Sequence, residues 1–256
     1  MRVLLHPSNF MDALTLSAAG GLRSRMESLD MLANNLANAG TSGYKTDREF
    51  YSLYTGTPDE PLAPGQTATT MPVIERPWTD FSQGTLTPTG NPLDLALSGK
   101  GFFAVQGTSG PLYTRNGSFQ VGADGTVKTQ DGYPVLLQDG QKIKLQPNTP
   151  VDVATDGTVS QAGQVFGRLQ VVEFADSGAL TKAGNSYFQT ADPKVKPKAA
   201  TGAETLQGKL EGSNVGTAES AVRLVAIMRQ FEMLQKAVTL GTEMNSQAIQ
   251  EVARVS

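Results

Sequence analysis

NNLANAGTSGYKT, residues Asn34–Thr46, places three asparagines in five positions and then runs into Gly, Thr, Ser, Gly, Tyr and Lys. Asparagine is a poor residue inside a helix, because its amide competes for nearby backbone groups. It serves where a chain leaves a helix or takes a left-handed turn. The stretch therefore marks an exit. What precedes it is helical: positions 11, 15, 18, 22, 25, 29, 32, 36 and 39 are apolar in seven of nine cases, with Ser24, Glu27, Ser28 and Asp30 off that seam. The spacing predicts an amphipathic helix of about 28 residues, about 40 Å long at 1.5 Å per residue.

The far end of the chain repeats the pattern. A second helix is expected to start at Thr217–Glu219, and positions 224, 227, 231, 234, 238, 241, 245, 248 and 252 are again apolar in seven of nine cases. A 3–4 alternation held over four heptads is a coiled-coil seam. Gly241 and Asn245 interrupt it, so fraying is expected there. Leu22, Leu29, Leu32 and Leu36 of the first helix, with Leu224, Ile227, Phe231, Leu234 and Val238 of the second, are the candidate interface residues. Neither stripe has another helix in the chain to cover it, so they are expected to pair with each other, with further copies, or both.

Between the helices the period changes. Residues 47–83 carry scattered aromatics and four prolines from Pro58 to Pro72, and read as an irregular arm. From Gly84 short runs such as LDLALS, GFFAVQ, YPVLL and RLQVVEF have strand character. Asp-Gly pairs at 124–125, 131–132, 139–140 and 156–157 signal hairpins. DGTV occurs twice, at Asp124 and Asp156, too few to make a repeat architecture. The expected fold class is α+β: an all-β central domain at 84–212, flanked by an N-terminal helical segment at 1–46 and a C-terminal one at 213–256 that pair as a coiled coil.

Composition removes several function classes. The 256 residues include 24 acidic and 21 basic side chains, a net charge of −3, with no basic block for nucleic acid. There is no cysteine, hence no disulfide, thiolate metal site or thiol nucleophile. The one histidine, His6, cannot build a zinc site or serve a nucleophile alone. No run of 18 apolar residues is present for a membrane span. His6, Pro7, Ser8, Asn9 and Asp12 break the N-terminal apolar patch, so no cleaved signal peptide is expected. Gly99–Ala104 (GKGFFA) fits a dinucleotide-binding pattern by letter, but FFAVQ reads as strand where that mechanism needs a helix N-terminus. KVKPK at 194–198 reads as a solvated loop, and Trp78, Phe102 and Phe103 as core. No catalytic residue, cofactor, metal or small-molecule ligand is expected.

NNLANAGTSGYK (34–45) resembles the N-terminal signature of the bacterial flagellar axial proteins, the rod, hook and hook-associated subunits. Two further blocks agree in order: SQGTLTPTGNPLDLALSGKGFFAV (82–105) with YTRNGSF (113–119), and GKLEGSNV (208–215) leading to MRQFEMLQKA (228–237). The length and the unbroken TPTGNPLDLALSG are most similar to the basal-body rod proteins, the proximal subunit first and the distal next. The ending EMNSQAIQEVARVS departs from the leucine-rich finish of the distal type. The resemblance implies a non-enzymatic subunit that stacks helically with itself and other axial subunits. It implies an inner layer of terminal helices around an export channel and an outer β layer. It further implies passage through the flagellar type III export apparatus without a cleaved signal, a place in the rod across the periplasm, and a turn motif of Asn34, Asn35, Asn38, Thr41, Gly43, Tyr44 and Lys45. A secreted β-domain enzyme or binding module with helical oligomerisation arms is the competing reading; it would hold a small ligand as a monomer, whereas a rod subunit would polymerise.

Overall fold

The computed structural model describes residues 7–49, 51–55, 70–74, 78–146 and 149–255, and the side chains of 19–49, 78–146, 149–244, 246, 247, 250 and 254. His6 and the start of the N-terminal apolar patch lie outside the described residues. The chain divides into two units. One takes in Met1–Leu36, Asp47–Trp78 and Thr217–Ser256; the other takes in Ala37–Thr46 and Thr79–Gly216.

The first unit is mainly helical. Helix α1 spans Pro7–Ala37 and helix α2 spans Thr217–Val255. On α1 the most buried described side chains are Ser24, Ser28, Leu32 and Asn35, while Leu22, Leu29 and Leu36 are half-buried. The sequence pattern put Ser24 and Ser28 off the seam; the structure puts them on it. Small side chains let another surface approach the helix closely, and the leucines then flank the contact. Gly21 lies on this face too: a Cβ there would sit 3.5 Å from Leu234 Cδ1. On α2, Ile227 is buried, Leu224, Phe231, Leu234, Val238 and Gly241 are half-buried, and the residues between them are exposed. The helix runs unbroken through Gly241 and Asn245, contrary to the expected fraying. A glycine costs about 1 kcal/mol relative to alanine, too little to interrupt a helix already propagated on both sides.

The stretch 47–83 is not irregular throughout. Tyr51–Thr55 and Thr70–Ile74 form an antiparallel ladder that pairs Tyr51 with Ile74 and Thr55 with Thr70. Aromatic and β-branched residues there suit a strand, and Pro72 is tolerated because a two-stranded ladder leaves both strands with a free edge. Trp78 is 49% exposed rather than core; its ring lies 5.9 Å from the Arg48 guanidinium carbon, where the cation faces the π cloud.

The second unit is built of antiparallel strands. A six-stranded sheet runs in the order Leu180–Lys182, Tyr187–Thr190, Pro111–Thr114, Phe102–Gln106, Val171–Glu173, Lys198–Ala199. Val151–Val153, Thr158–Gln161 and Gln164–Arg168 make a three-stranded sheet. Three pairs complete the unit: Phe119–Val121 with Val127–Thr129, Leu95–Ser98 with Glu204–Gln207, and Leu86–Pro88 with Lys209–Glu211. Phe102–Gln106 is buried on both faces. Phe103 and Val105 enter one apolar cluster with Leu97, Phe119 and Val135; Phe102 and Ala104 enter another with Tyr113, Val172 and Phe188. Burial of alternate residues into two clusters is why FFAV reads as a continuous apolar run. No helix starts at Gly99–Ala104, so the dinucleotide-like letters are a strand connection with Gly99 at φ +96°.

The four Asp-Gly pairs all turn the chain between antiparallel partners. The two DGTV copies have one geometry. In each, the aspartate takes the threonine N–H on Oδ1 and its hydroxyl on Oδ2, glycine sits at φ +77° or +85°, and the valine is buried. These hydrogen bonds hold the Asp124 and Asp156 carboxyls below their usual range. Lys194, Lys196 and Lys198 are exposed.

Candidate functional site

The turn that follows α1 is the start of a densely bonded site. Asn38 caps the exit: its carbonyl accepts from the Thr41 N–H at 3.1 Å and its Oδ1 from the Thr41 hydroxyl at 3.2 Å. Asn35, buried near the end of α1, donates through Nδ2 to the Asp47 carbonyl at 2.8 Å, and its Oδ1 accepts from the Asp47 N–H at 3.0 Å. That two-way clip makes a helix-ending asparagine useful here. Asn34 is exposed on the helix.

Gly43 is the position where any side chain would be strained. Its φ is +69°, and a Cβ there would lie 2.3 Å from the Asn116 backbone nitrogen. Its N–H donates to the Glu211 carbonyl at 2.7 Å. Gly40 is different: its φ is not left-handed and a Cβ would meet nothing within 4 Å. Tyr44 is buried, with the Lys182 ammonium 4.2 Å from its ring centroid. That same ammonium donates to the Lys45 carbonyl at 2.7 Å.

Lys45 is fully buried. Its ammonium donates to Glu211 Oε1 at 2.6 Å and to the Ser82 carbonyl at 2.7 Å. Glu211, also fully buried, accepts from the Gly84 N–H on Oε1 at 3.0 Å and from Arg115 on Oε2 at 3.0 Å. Arg115 in turn donates to the Gly99 carbonyl at 2.6 Å, and its guanidinium faces the Phe102 ring at 5.5 Å. Two cations share one carboxylate, so the buried cluster carries a net charge of +1. Burial pushes the Lys45 ammonium below its ordinary range, and Glu211 partly offsets this; burial lowers Arg115 in the same way. The other bonds to these groups come from backbone, as a buried ion cluster requires.

Asn214 closes the site. Its Oδ1 accepts from the Thr46 N–H at 2.8 Å, and its Nδ2 donates to the carbonyls of Asp80 at 2.7 Å and Ser82 at 3.1 Å. The Asp80 N–H donates to the Thr46 carbonyl at 2.9 Å. Three separate passages of the chain, at 46, 80 and 214, are thus joined side by side.

The arrangement is a clasp. Its charged groups, Lys45, Arg115 and Glu211, are out of solvent and bonded to one another. Among the described residues no group of three or more Asp, Glu or His side chains could hold a metal ion, and no helix is long and apolar enough to cross a membrane. The structure gathers Asn38, Thr41, Gly43, Tyr44 and Lys45 here, with Asn35 just upstream. Arg115, Glu211, Asn214 and Lys182 were not legible as site residues. Arg115 and Glu211 do lie inside YTRNGSF and GKLEGSNV, but nothing in a single sequence pairs charges 96 or 166 residues apart.

Comparison with known proteins follows the same three segments. Residues 16–45 match a family model described as flagella basal body rod protein. Residues 96–166 match the D1 domain of flagellar hook protein FlgE/F/G, and 206–251 match the C-terminal part of flagellar basal body rod FlgEFG protein. Lys45, Arg115 and Glu211 fall one in each. The chain is 33% identical to the flagellar basal-body rod protein FlgF of Caulobacter vibrioides, over 89% of this chain and 93% of that protein. It is 30% identical to FlgF of Salmonella typhimurium, over 94% and 98% of the two chains. It is likewise 30% identical to the basal-body rod protein FlgG of Buchnera aphidicola from Acyrthosiphon pisum, over 88% and 94%. Matched nearly end to end by these relatives, and with one clasp charge drawn from each matched segment, the chain belongs to the flagellar basal-body rod protein family.

Proposed function

We propose that the chain is a structural subunit of the flagellar rod, with no enzymatic activity. It assembles helically with further copies and other rod subunits. In this reading 1–46 and 213–256 supply an inner layer of paired helices around the export channel, with Leu22, Leu29, Leu32 and Leu36 facing Leu224, Ile227, Phe231, Leu234 and Val238. Residues 84–212 form the outer layer, and 47–83 the arm between. The subunit travels through the flagellar type III export apparatus without a cleaved signal and takes its place in the rod across the periplasm. The carrying observation is the near end-to-end match to basal-body rod proteins. The apolar stripe of α2 suits packing among helices, and Val222, Met233, Leu240 and Met244 on its other side, each more than half exposed, suit a helix with neighbours on more than one face. The relatives are named both FlgF and FlgG, and the proposal is made for the rod subunits as a class.

Immuno-electron microscopy of purified basal bodies tests it. Antibody against the β unit should label the rod, and cells lacking the gene should be non-motile with a truncated or absent rod. Intact rods and full motility in the deletion strain would sink the reading.

A further inference from the structure

We infer that Glu211 is a closure residue: the β unit completes its fold only when the last strand, Lys209–Glu211, delivers this carboxylate to Lys45 and Arg115. This goes beyond the structural role proposed above, because it concerns the order in which one chain folds.

The argument begins with charge. Lys45 and Arg115 are buried cations that lie 166 and 96 residues before the one carboxylate that pairs with both. Without Glu211 the cluster holds two unpaired positive charges out of water, the arrangement that burial penalises most. With it, the net charge falls to +1 and the carboxylate also takes the Gly84 N–H.

The strands point the same way. Leu86–Pro88 has its ladder with Lys209–Glu211, and Leu95–Ser98 has its ladder with Glu204–Gln207. Leu95 and Leu97 belong to the larger apolar cluster. Gln207 donates to the carbonyls of Pro92 and Val151, both at 2.8 Å, and accepts from the Val153 N–H at 3.2 Å. Gly208 and Gly212 donate to the carbonyls of Asp94 and Thr85 at 2.8 Å. Gly84 and Gly212 approach so closely that a Cβ on Gly84 would lie 2.1 Å from the Gly212 carbonyl oxygen. Residues 204–214 therefore stitch together segments near 45, 85, 95 and 152, which otherwise share few backbone bonds. A chain that emerges N-terminus first holds its β unit open until residue 211 is free.

Native-state hydrogen exchange on the full-length protein tests this, with three chains compared: wild type, Glu211→Gln, and Lys45→Met with Glu211→Gln. The double variant restores the buried net charge of +1. The amides of Ala104 and Val127 report the core, since they bond to the Gln170 and Ile143 carbonyls and not to the closing segment; Thr205 reports the closing segment itself. In Glu211→Gln, protection at Ala104, Val127 and Thr205 should fall together, on the order of 100-fold or more. A chain that fails to fold at all gives the same result in the extreme. The double variant leaves Arg115 as the one unpaired cation of the pair and should regain part of that protection. Loss confined to Thr205 and its neighbours, with Ala104 and Val127 unchanged, would overturn the inference by showing an independently closed core. A double variant no better protected than Glu211→Gln would overturn the charge argument, and with it the role of Glu211.

Discussion

The ammonium of Lys45 lies 2.6 Å from the carboxylate of Glu211, both side chains wholly out of solvent and 166 residues apart in the chain. A pair this distant joins the turn after the first helix to the segment that leads into the second. The two partners are not equivalent: Glu211 also accepts from a second cation, Arg115, whereas the second hydrogen bond of the Lys45 ammonium goes to the Ser82 carbonyl.

That asymmetry is measurable. Lys45→Met leaves Arg115 and Glu211 paired and is expected to cost about 1–3 kcal/mol, the scale of a lost charged hydrogen bond. Glu211→Ala strands two cations and is expected to cost about 3–5 kcal/mol. Urea denaturation of the full-length chain, followed by β-unit circular dichroism, checks the order. Equal losses would mean that the charges contribute little beyond packing.

The two turn glycines should part company. Gly43→Ala combines a left-handed backbone with a clash against Asn116, and is expected to destabilise by about 2–4 kcal/mol. Gly40→Ala meets open space and should change stability by less than about 1 kcal/mol, in the stabilising direction if at all. Thermal melts of the two variants side by side decide it.

Alkaline pH should loosen the β unit through Tyr187 and Tyr113. Burial raises both phenols above the ordinary value, and at Tyr187 the Asp131 carboxylate, 2.8 Å away, adds to it. A phenol with a raised folded-state pKa contributes stability that is complete below the unfolded value of about 10 and is lost as pH rises above it. Lys45 works in the opposite sense: its lowered pKa is a penalty relieved as pH climbs toward the unfolded lysine value. The urea midpoint should therefore fall above about pH 10, and more gently in Tyr187→Phe. An unchanged slope in that variant would remove Tyr187 from the account.

The seam of α2 should matter to the assembly and not to the β unit. Phe231→Asp with Leu234→Asp removes roughly 1.5–3 kcal/mol of burial per side chain and adds the cost of desolvating two carboxylates. The variant is expected to be made at normal levels with an unchanged β-unit melt, and to leave cells non-motile. Swimming assays and basal-body preparations from the same strain check this; a motile strain would show that the seam is not an interface.

What was legible in the sequence is what local physics controls. Periodicity located both helices, the Asp-Gly pairs located turns, and FFAV announced a strand despite its dinucleotide-like setting. Hydrophobicity points to the leucines of α1 and passes over Ser24 and Ser28, which are buried beside Leu32; close approach ranks small above large, a preference that a hydrophobic pattern does not register. The ladder Tyr51–Thr55 with Thr70–Ile74 was hidden by four prolines that suggested irregularity. Hydrophobicity alone places Trp78 in the core, whereas its ring is half exposed and faces Arg48. The clasp could be half seen: Lys45 stood within a recognisable turn, but its partners are set by tertiary pairing, on which a linear pattern is silent.

Thr46, Asp80 and Asn214 meet through three hydrogen bonds, from the Asp80 N–H to the Thr46 carbonyl, from the Asn214 amide to the Asp80 carbonyl, and from the Thr46 N–H to the Asn214 side-chain oxygen. Each intervening length of chain, 47–79 and 81–213, therefore starts and finishes at one place. The 47–79 excursion can lengthen, shorten or be exchanged for another fold without altering the separation of its own ends, whereas 81–213 carries the Ser82, Arg115 and Glu211 of the clasp. The junction makes the subunit modular on one side, and it marks residues 46 and 80 as the boundaries at which a foreign domain could be spliced in while the local backbone path is kept.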